Sequence, residues 1–177
     1  RIIVAFGALL SAAAAADTIY EELARLSPPR KHYMRYYSTR EANDDMWKAP
    51  QGVHAFLRAY YHMKSGDWTG NSPEPLKGRT AEEWARLPRY YVMDLDKGMA
   101  ASVAPEMPSA AAVQANRWLS DQDLRVYSTE YGRTGFQGGL QSYRLGQAPR
   151  LNADLATFSG RTIDQPSMFI GGKRDWG

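Results

Sequence analysis

Cysteine is absent from all 177 residues, which excludes disulfides, thiolate zinc sites and cysteine nucleophiles. The absence is compatible with a reducing compartment without establishing one, and a cytoplasmic location is the expectation. Histidine is scarce, with His32, His54 and His62 the whole supply. His54 and His62 would lie two turns apart on one helix, too far for easy chelation, so all three read as surface or core-edge residues. A charge excess is lacking too: the net charge is +3 and the Lys and Arg residues are scattered. Nucleic-acid binding calls for a basic stripe with a fold signature, and none is present. No Gly-x-Ser-x-Gly occurs, so no serine esterase elbow is visible. Hydrophobic residues at 44% and charged residues at 23% are ordinary for a globular protein, either one domain or a piece of a larger one.

Long apolar runs are missing as well. The first residues, Arg1 and then Ile2-Ile3-Val4-Ala5-Phe6-Gly7-Ala8-Leu9-Leu10, lead into the alanine run 12–16 and are too short to span a bilayer as a helix. Two readings stand. One positive charge, a short apolar stretch and small residues resemble a secretory signal, which would make the protein secreted. Ile2 to Phe6 also reads as a buried β-branched strand that leaves a sheet through an alanine-rich connection.

What is present is mostly helical. Asp17 caps a helix with Ile19, Leu23 and Leu26 on one stripe, ended by Pro28-Pro29. Beyond Pro50, Val53, Phe56, Leu57, Tyr60 and Tyr61 mark a longer helix that Gly66 closes. Residues 67–78, rich in Gly and Pro, read as a loop. Thr80-Ala81-Glu82-Glu83 matches a capping box for a short helix stopped by Pro88. Ser109 caps a helix expected over 110–118, and Ser120 one with Leu124, Tyr127 and Tyr131 inward. Leu151, Leu155 and Phe158 suggest one more short helix. Ser167-Met168-Phe169-Ile170, between Pro166 and Gly171-Gly172, reads as a buried strand. A helical block between strands is the layout of a lid inserted into an α/β sheet.

Three segments carry chemistry. The first is His32-Tyr33-Met34-Arg35-Tyr36-Tyr37. The second runs from Trp118-Leu119-Ser120-Asp121-Gln122-Asp123-Leu124 through Gly135-Phe136-Gln137-Gly138 to Leu140-Gln141-Ser142-Tyr143-Arg144. The third is Gly171-Gly172-Lys173-Arg174-Asp175-Trp176-Gly177. Together they resemble the α/β-hydrolase superfamily, in particular epoxide hydrolases of the soluble type. The second segment departs from that pattern at Gly139, where proline is common, at Gln141 for asparagine and at Ser142 for tryptophan. Loss of the indole should widen or rewet the pocket beside Tyr143.

The resemblance implies an α/β fold: a core strand and cap entry over 1–16, a helical cap over 17–148, and a core helix, strand and acid loop over 149–177. It implies that Tyr33 and Tyr143 are lid hydroxyls holding an epoxide oxygen, and that Asp175 orients the catalytic histidine. Phenols suit the first role, because they stay protonated at neutral pH and sit on rigid rings. Tyr33 also reads as one member of an aromatic cluster with Tyr36 and Tyr37, and Tyr143 as a packing residue. Asp175 has two rivals of its own, a surface loop and the nucleophile of a Gly-x-Asp-Trp-Gly elbow. The elbow needs a small residue two positions before the nucleophile, where Lys173 stands. The substrate would be a small epoxide or a related apolar electrophile, with no metal or organic cofactor, no nucleic acid and no stable membrane span. The family's oxyanion loop, nucleophile elbow and catalytic histidine have no match here, so the chain reads as a fragment, inactive alone. The rival functions are another hydrolase of this fold, such as an esterase or a dehalogenase, and a non-catalytic helical interaction module. Paired tyrosines argue against halide release, which indole or amide N–H donors serve.

Overall fold

The computed structural model describes residues 2–3, 18–148, 157–158 and 160–176. Its described elements are mostly helical, with two small two-stranded sheets, an arrangement compatible with a helical cap. No described helix is long and apolar enough to cross a membrane.

The first sheet pairs β1 (Ile2–Ile3) with a late strand, β4 (Thr162–Ile163). The continuation of the expected first strand over 4–6, the alanine run and the Asp17 cap lie outside the described residues. Helix α1, described over 18–25, buries Ile19, Tyr20 and Leu23. Then comes β2 (Arg30–His32), antiparallel to β3 (Val92–Asp94), with Arg30 opposite Asp94 and His32 opposite Val92. Arg30 and Asp94 form an ion pair that Arg89 joins at 3.1 Å.

Helix α2 (Tyr33–Tyr37) starts directly from β2, and His32 Nδ1 accepts the Met34 N–H as its cap. Next come α3 (Glu41–Trp47) and the central α4 (Gly52–Lys64). In α4, Phe56, Leu57, Ala59 and Met63 are buried, following the helical period that the sequence shows. Thr80 caps α5 (Ala81–Trp84) through the Glu83 N–H, but the Glu83 carboxylate accepts the Lys77 N–H instead of closing a capping box. Helix α6 (Met99–Val103) runs into a 3-10 turn, Ala104–Glu106.

Helix α7 (Ala110–Ala115) is capped by Ser109 as expected but stops short of Trp118. Asn116 turns extended there, and its Oδ1 accepts the N–H groups of Trp118 and Leu119 at 3.1 and 2.9 Å. That side-chain turn competes successfully with another helical turn. Helix α8 (Asp121–Thr134) has the reciprocal Ser120–Asp123 capping box. Leu124 is fully buried, whereas Tyr127 is 48% exposed, against expectation. At 100° per residue Tyr127 falls on the edge of the buried stripe, its ring 6.0 Å from that of Tyr61.

Gly135 ends α8 at φ 66°, ψ −170°, a region reserved for glycine. A Cβ there would stand 2.9 Å from Asn43 Oδ1, the atom that accepts the Phe136 N–H. The turn sends the Phe136 ring inward, stacked on Tyr131 at 4.3 Å and edge-on to Phe56 at 5.7 Å. Helix α9 (Gln137–Gly146) follows, anchored by Leu140.

The expected strand at Met168-Phe169-Ile170 does not form. These residues are 82%, 91% and 80% exposed, and among the described residues none pairs with them. An apolar, β-prone stretch becomes a strand only where a neighbouring edge supplies its hydrogen bonds. The expected helix around Leu151 and Leu155 lies outside the described residues, and Phe158 is half exposed.

Candidate active site: a tyrosine cluster beside an acid loop

Tyr33 and Tyr143, far apart in sequence, lie with their ring centroids 5.8 Å apart and nearly perpendicular. The cause is the packing of α9 across the end of α2. The Arg144 guanidinium donates to the carbonyls of Ser38 and Thr39 at 3.3 and 3.1 Å, and Ser38 Oγ donates to the Tyr143 carbonyl at 3.2 Å. Arg144 therefore satisfies carbonyls left open at the helix end and sets the register of its neighbour Tyr143. Two further rings complete the cluster: Tyr37 lies 5.1 Å from Tyr143 and 5.5 Å from Tyr33, and Tyr91 lies 5.4 Å from Tyr33. Edge-on contacts of this kind keep the rings fixed.

Burial pushes the Tyr33 hydroxyl up to about 12, with Tyr143, Tyr20 and Asp175 adding to the shift. Burial also raises the hydroxyls of Tyr143 and, more strongly, Tyr37. All three phenols are therefore protonated donors at neutral pH. Tyr37 uses its proton on Tyr60, donating at 3.2 Å. The cluster can hold a neutral or developing-anionic oxygen by hydrogen bonds, and such donors gain strength where water is scarce.

Asp175 sits at the rim of this cluster. Its carboxylate accepts the Tyr91 hydroxyl at 2.9 Å, and its charge is felt at Tyr33, Tyr90 and Lys64. Its flanks are anchored as well: Arg174 Nη1 donates to the Gly66 carbonyl and Trp176 Nε1 to Asn71 Oδ1, each at 2.9 Å. The structure thus brings the three residues singled out in the sequence into one neighbourhood.

His32 and His54 are each held by neighbouring side chains. His32, pushed down to about 4 by burial, stacks on Tyr20 at 5.5 Å and meets the tilted Trp84 ring at 5.1 Å. His54 bridges α4 to α8 through Ser128 Oγ at 3.0 Å and Asp121 Oδ1 at 2.9 Å. A separate cleft of about 510 Å³ is lined by Tyr20, Lys31, His32, Arg35 and Tyr36 among others, and Tyr33, Tyr143 and Asp175 are not part of its lining. Two of its cations are already occupied, Arg30 by Asp94 and Lys31 by the Tyr36 ring at 4.5 Å.

Tyr91 and Lys64, which neighbour this loop, were not singled out in the sequence. The tandem Tyr90-Tyr91 ahead of Val92 was the available signal, because a doubled aromatic beside a short strand puts one ring on each side. Lys64 left no signal, since it reads as an ordinary helix-ending cation.

Two mycobacterial proteins match part of this sequence. Epoxide hydrolase A of Mycobacterium tuberculosis (strain ATCC 25618 / H37Rv) is 43% identical over 70 residues, 39% of this chain and 20% of that protein. Epoxide hydrolase B of the same strain is 37% identical over 60 residues, 34% of this chain and 16% of that protein. The chain thus covers about a fifth or less of each relative. No family model matches the chain, and no solved structure matches it. The partial matches support an epoxide hydrolase-like relationship within the α/β-hydrolases.

Proposed function

We propose that this chain carries the lid of an epoxide hydrolase-like α/β-hydrolase, and that Tyr33 and Tyr143 together grip the oxygen of a small epoxide. The observation that carries the reading is the 5.8 Å approach of two protonated phenols from distant segments. In the reaction a carboxylate attacks an epoxide carbon and the C–O bond breaks. The ring oxygen stays bonded to the neighbouring carbon; the two phenols stabilise its developing charge, and one of them gives it the proton that makes it a hydroxyl. Water, activated by a histidine, then hydrolyses the ester. Asp175 takes the role of orienting that histidine, which fixes its tautomer. The attacking carboxylate and the histidine are not assigned to residues of this chain. Residues 17–148 form the cap in this reading. The exposed Met168-Phe169-Ile170 stretch, unpaired among the described residues, fits a strand that joins a core sheet.

Binding isolates the lid's part from the chemistry. A small neutral carboxamide presents a carbonyl oxygen in place of the epoxide oxygen, and calorimetry on the whole chain reads its affinity. Tyr33→Phe and Tyr143→Phe should each weaken binding by roughly five- to tenfold, the worth of one hydrogen bond. Unchanged affinity in both variants would sink the proposal.

A further inference from the structure

We propose that Tyr91 and Lys64 form the seat of the Asp175 carboxylate and are positioning residues that fix the acid loop against the lid tyrosines. The proposal rests on the reading of Asp175 as the histidine-orienting acid, and adds what holds that acid in place.

Tyr91 is tied to the lid twice. Its carbonyl accepts the Tyr33 N–H at 2.8 Å, extending the β2–β3 pairing by one residue, and its ring meets Tyr33 edge-on at 5.4 Å. Its hydroxyl then reaches outward to Asp175 Oδ1 at 2.9 Å. One side chain therefore spans the distance from a lid tyrosine to the acid.

Lys64 ends α4, and its ammonium lies over three ring faces, 4.5 Å from Tyr90 and 5.2 Å from both Tyr60 and Tyr91. A cation over aromatic faces is held without a hydrogen-bond acceptor and keeps its charge available to an anion. Tyr91 joins the two groups, its ring under the ammonium and its hydroxyl on the Asp175 carboxylate, whose charge favours the ammonium against the cost of burial. The phenol gives direction and the ammonium gives charge, the two components of a specific carboxylate site.

The neighbouring anchors do a different job. Arg174 bonds the Gly66 carbonyl, and Trp176 bonds Asn71, a buried side chain that itself donates to the Ser65 carbonyl. They place the backbone of the loop on the end of α4. The Tyr91 bond places the carboxylate. An orienting acid must be fixed in rotamer, because the imidazole tautomer depends on it. A carboxylate has acceptor capacity for a phenol and an imidazole N–H together.

The test is tryptic cleavage of the folded chain after Lys173 and Arg174, with the thermal melt as control for the fold. Tyr91→Phe retains the ring, and so the fold, while removing the hydroxyl. It should speed cleavage at these sites about fivefold, in line with one lost charge-assisted hydrogen bond. Lys64→Met should do the same, and Lys64→Arg should restore protection because a cation again lies on the rings. The double variant Tyr91→Phe/Asp175→Asn should be cleaved no faster than either single variant, the mark of two groups acting through one contact. Cleavage of Tyr91→Phe at the parental rate, or single effects that multiply in the double variant, overturns the seat. No lid ligand takes part, so the seat and the lid reading fail separately. A parental cleavage rate with carboxamide binding intact removes only the seat. Loss of the tyrosine dependence of binding, with the cleavage pattern as expected, removes only the lid reading.

Discussion

The turn at Gly135-Phe136 and the stretch Met168-Phe169-Ile170 are similar in apolar character and opposite in fate. Phe136 is buried between Tyr131 and Phe56, and its N–H is held by Asn43. Phe169, equally hydrophobic, is 91% exposed. The difference lies in the partners each finds among the described residues. A glycine turn and two aromatic rings meet Phe136 within the helical block, whereas a strand needs an adjacent edge before its side chains can be covered. Burial follows from what the chain supplies nearby, not from the hydrophobicity of the residue alone.

That contrast can be broken at several points. Phe136→Ala should cost the most, about 3–4 kcal/mol of stability by chemical denaturation, since it empties an enclosed ring site. Gly135→Ala should cost about 2 kcal/mol, because alanine is strained at that φ and its Cβ presses on Asn43. Alkali should act on the tyrosine cluster. The Tyr33 phenol titrates near 12 in the folded chain, above its ordinary value of about 10. The folded state therefore holds the proton more tightly than the unfolded one. The stabilisation is complete below pH ~10 and is lost as pH rises through ~12, on the order of 1–2 kcal/mol. Melting temperatures across that range should fall, and Tyr33→Phe should flatten the slope. Phe169→Ser should be nearly neutral, within about 0.5 kcal/mol, with improved solubility the visible effect.

The helices were legible where one residue type decides them. Ser120 with Asp123, Thr80 before Glu83, and the apolar stripe of α4 all act locally, and the structure shows each start where expected. The end of α7 was not legible, because Asn116 diverts the backbone with its own side chain. Tyr127 was misplaced because periodicity gives a direction on the helix and not the height of the neighbouring wall. The expected strand at Met168 depended on a partner edge, which no local pattern encodes.

Of the candidate site, Tyr33, Tyr143 and Asp175 came from the resemblance, and the structure draws them into one neighbourhood. The residues that join them did not come from it. Tyr91 connects Tyr33 to Asp175 through a backbone bond on one side and a hydroxyl on the other. Arg144 clamps α2 through carbonyls that only tertiary packing brings within reach.

The central claim is that Tyr33 and Tyr143 share one ligand oxygen. A structure of the chain with a neutral carboxamide bound tests it most directly. The carbonyl oxygen is expected within about 3 Å of both phenolic oxygens. A carboxamide bound with its carbonyl on one hydroxyl alone, or away from both, would contradict it.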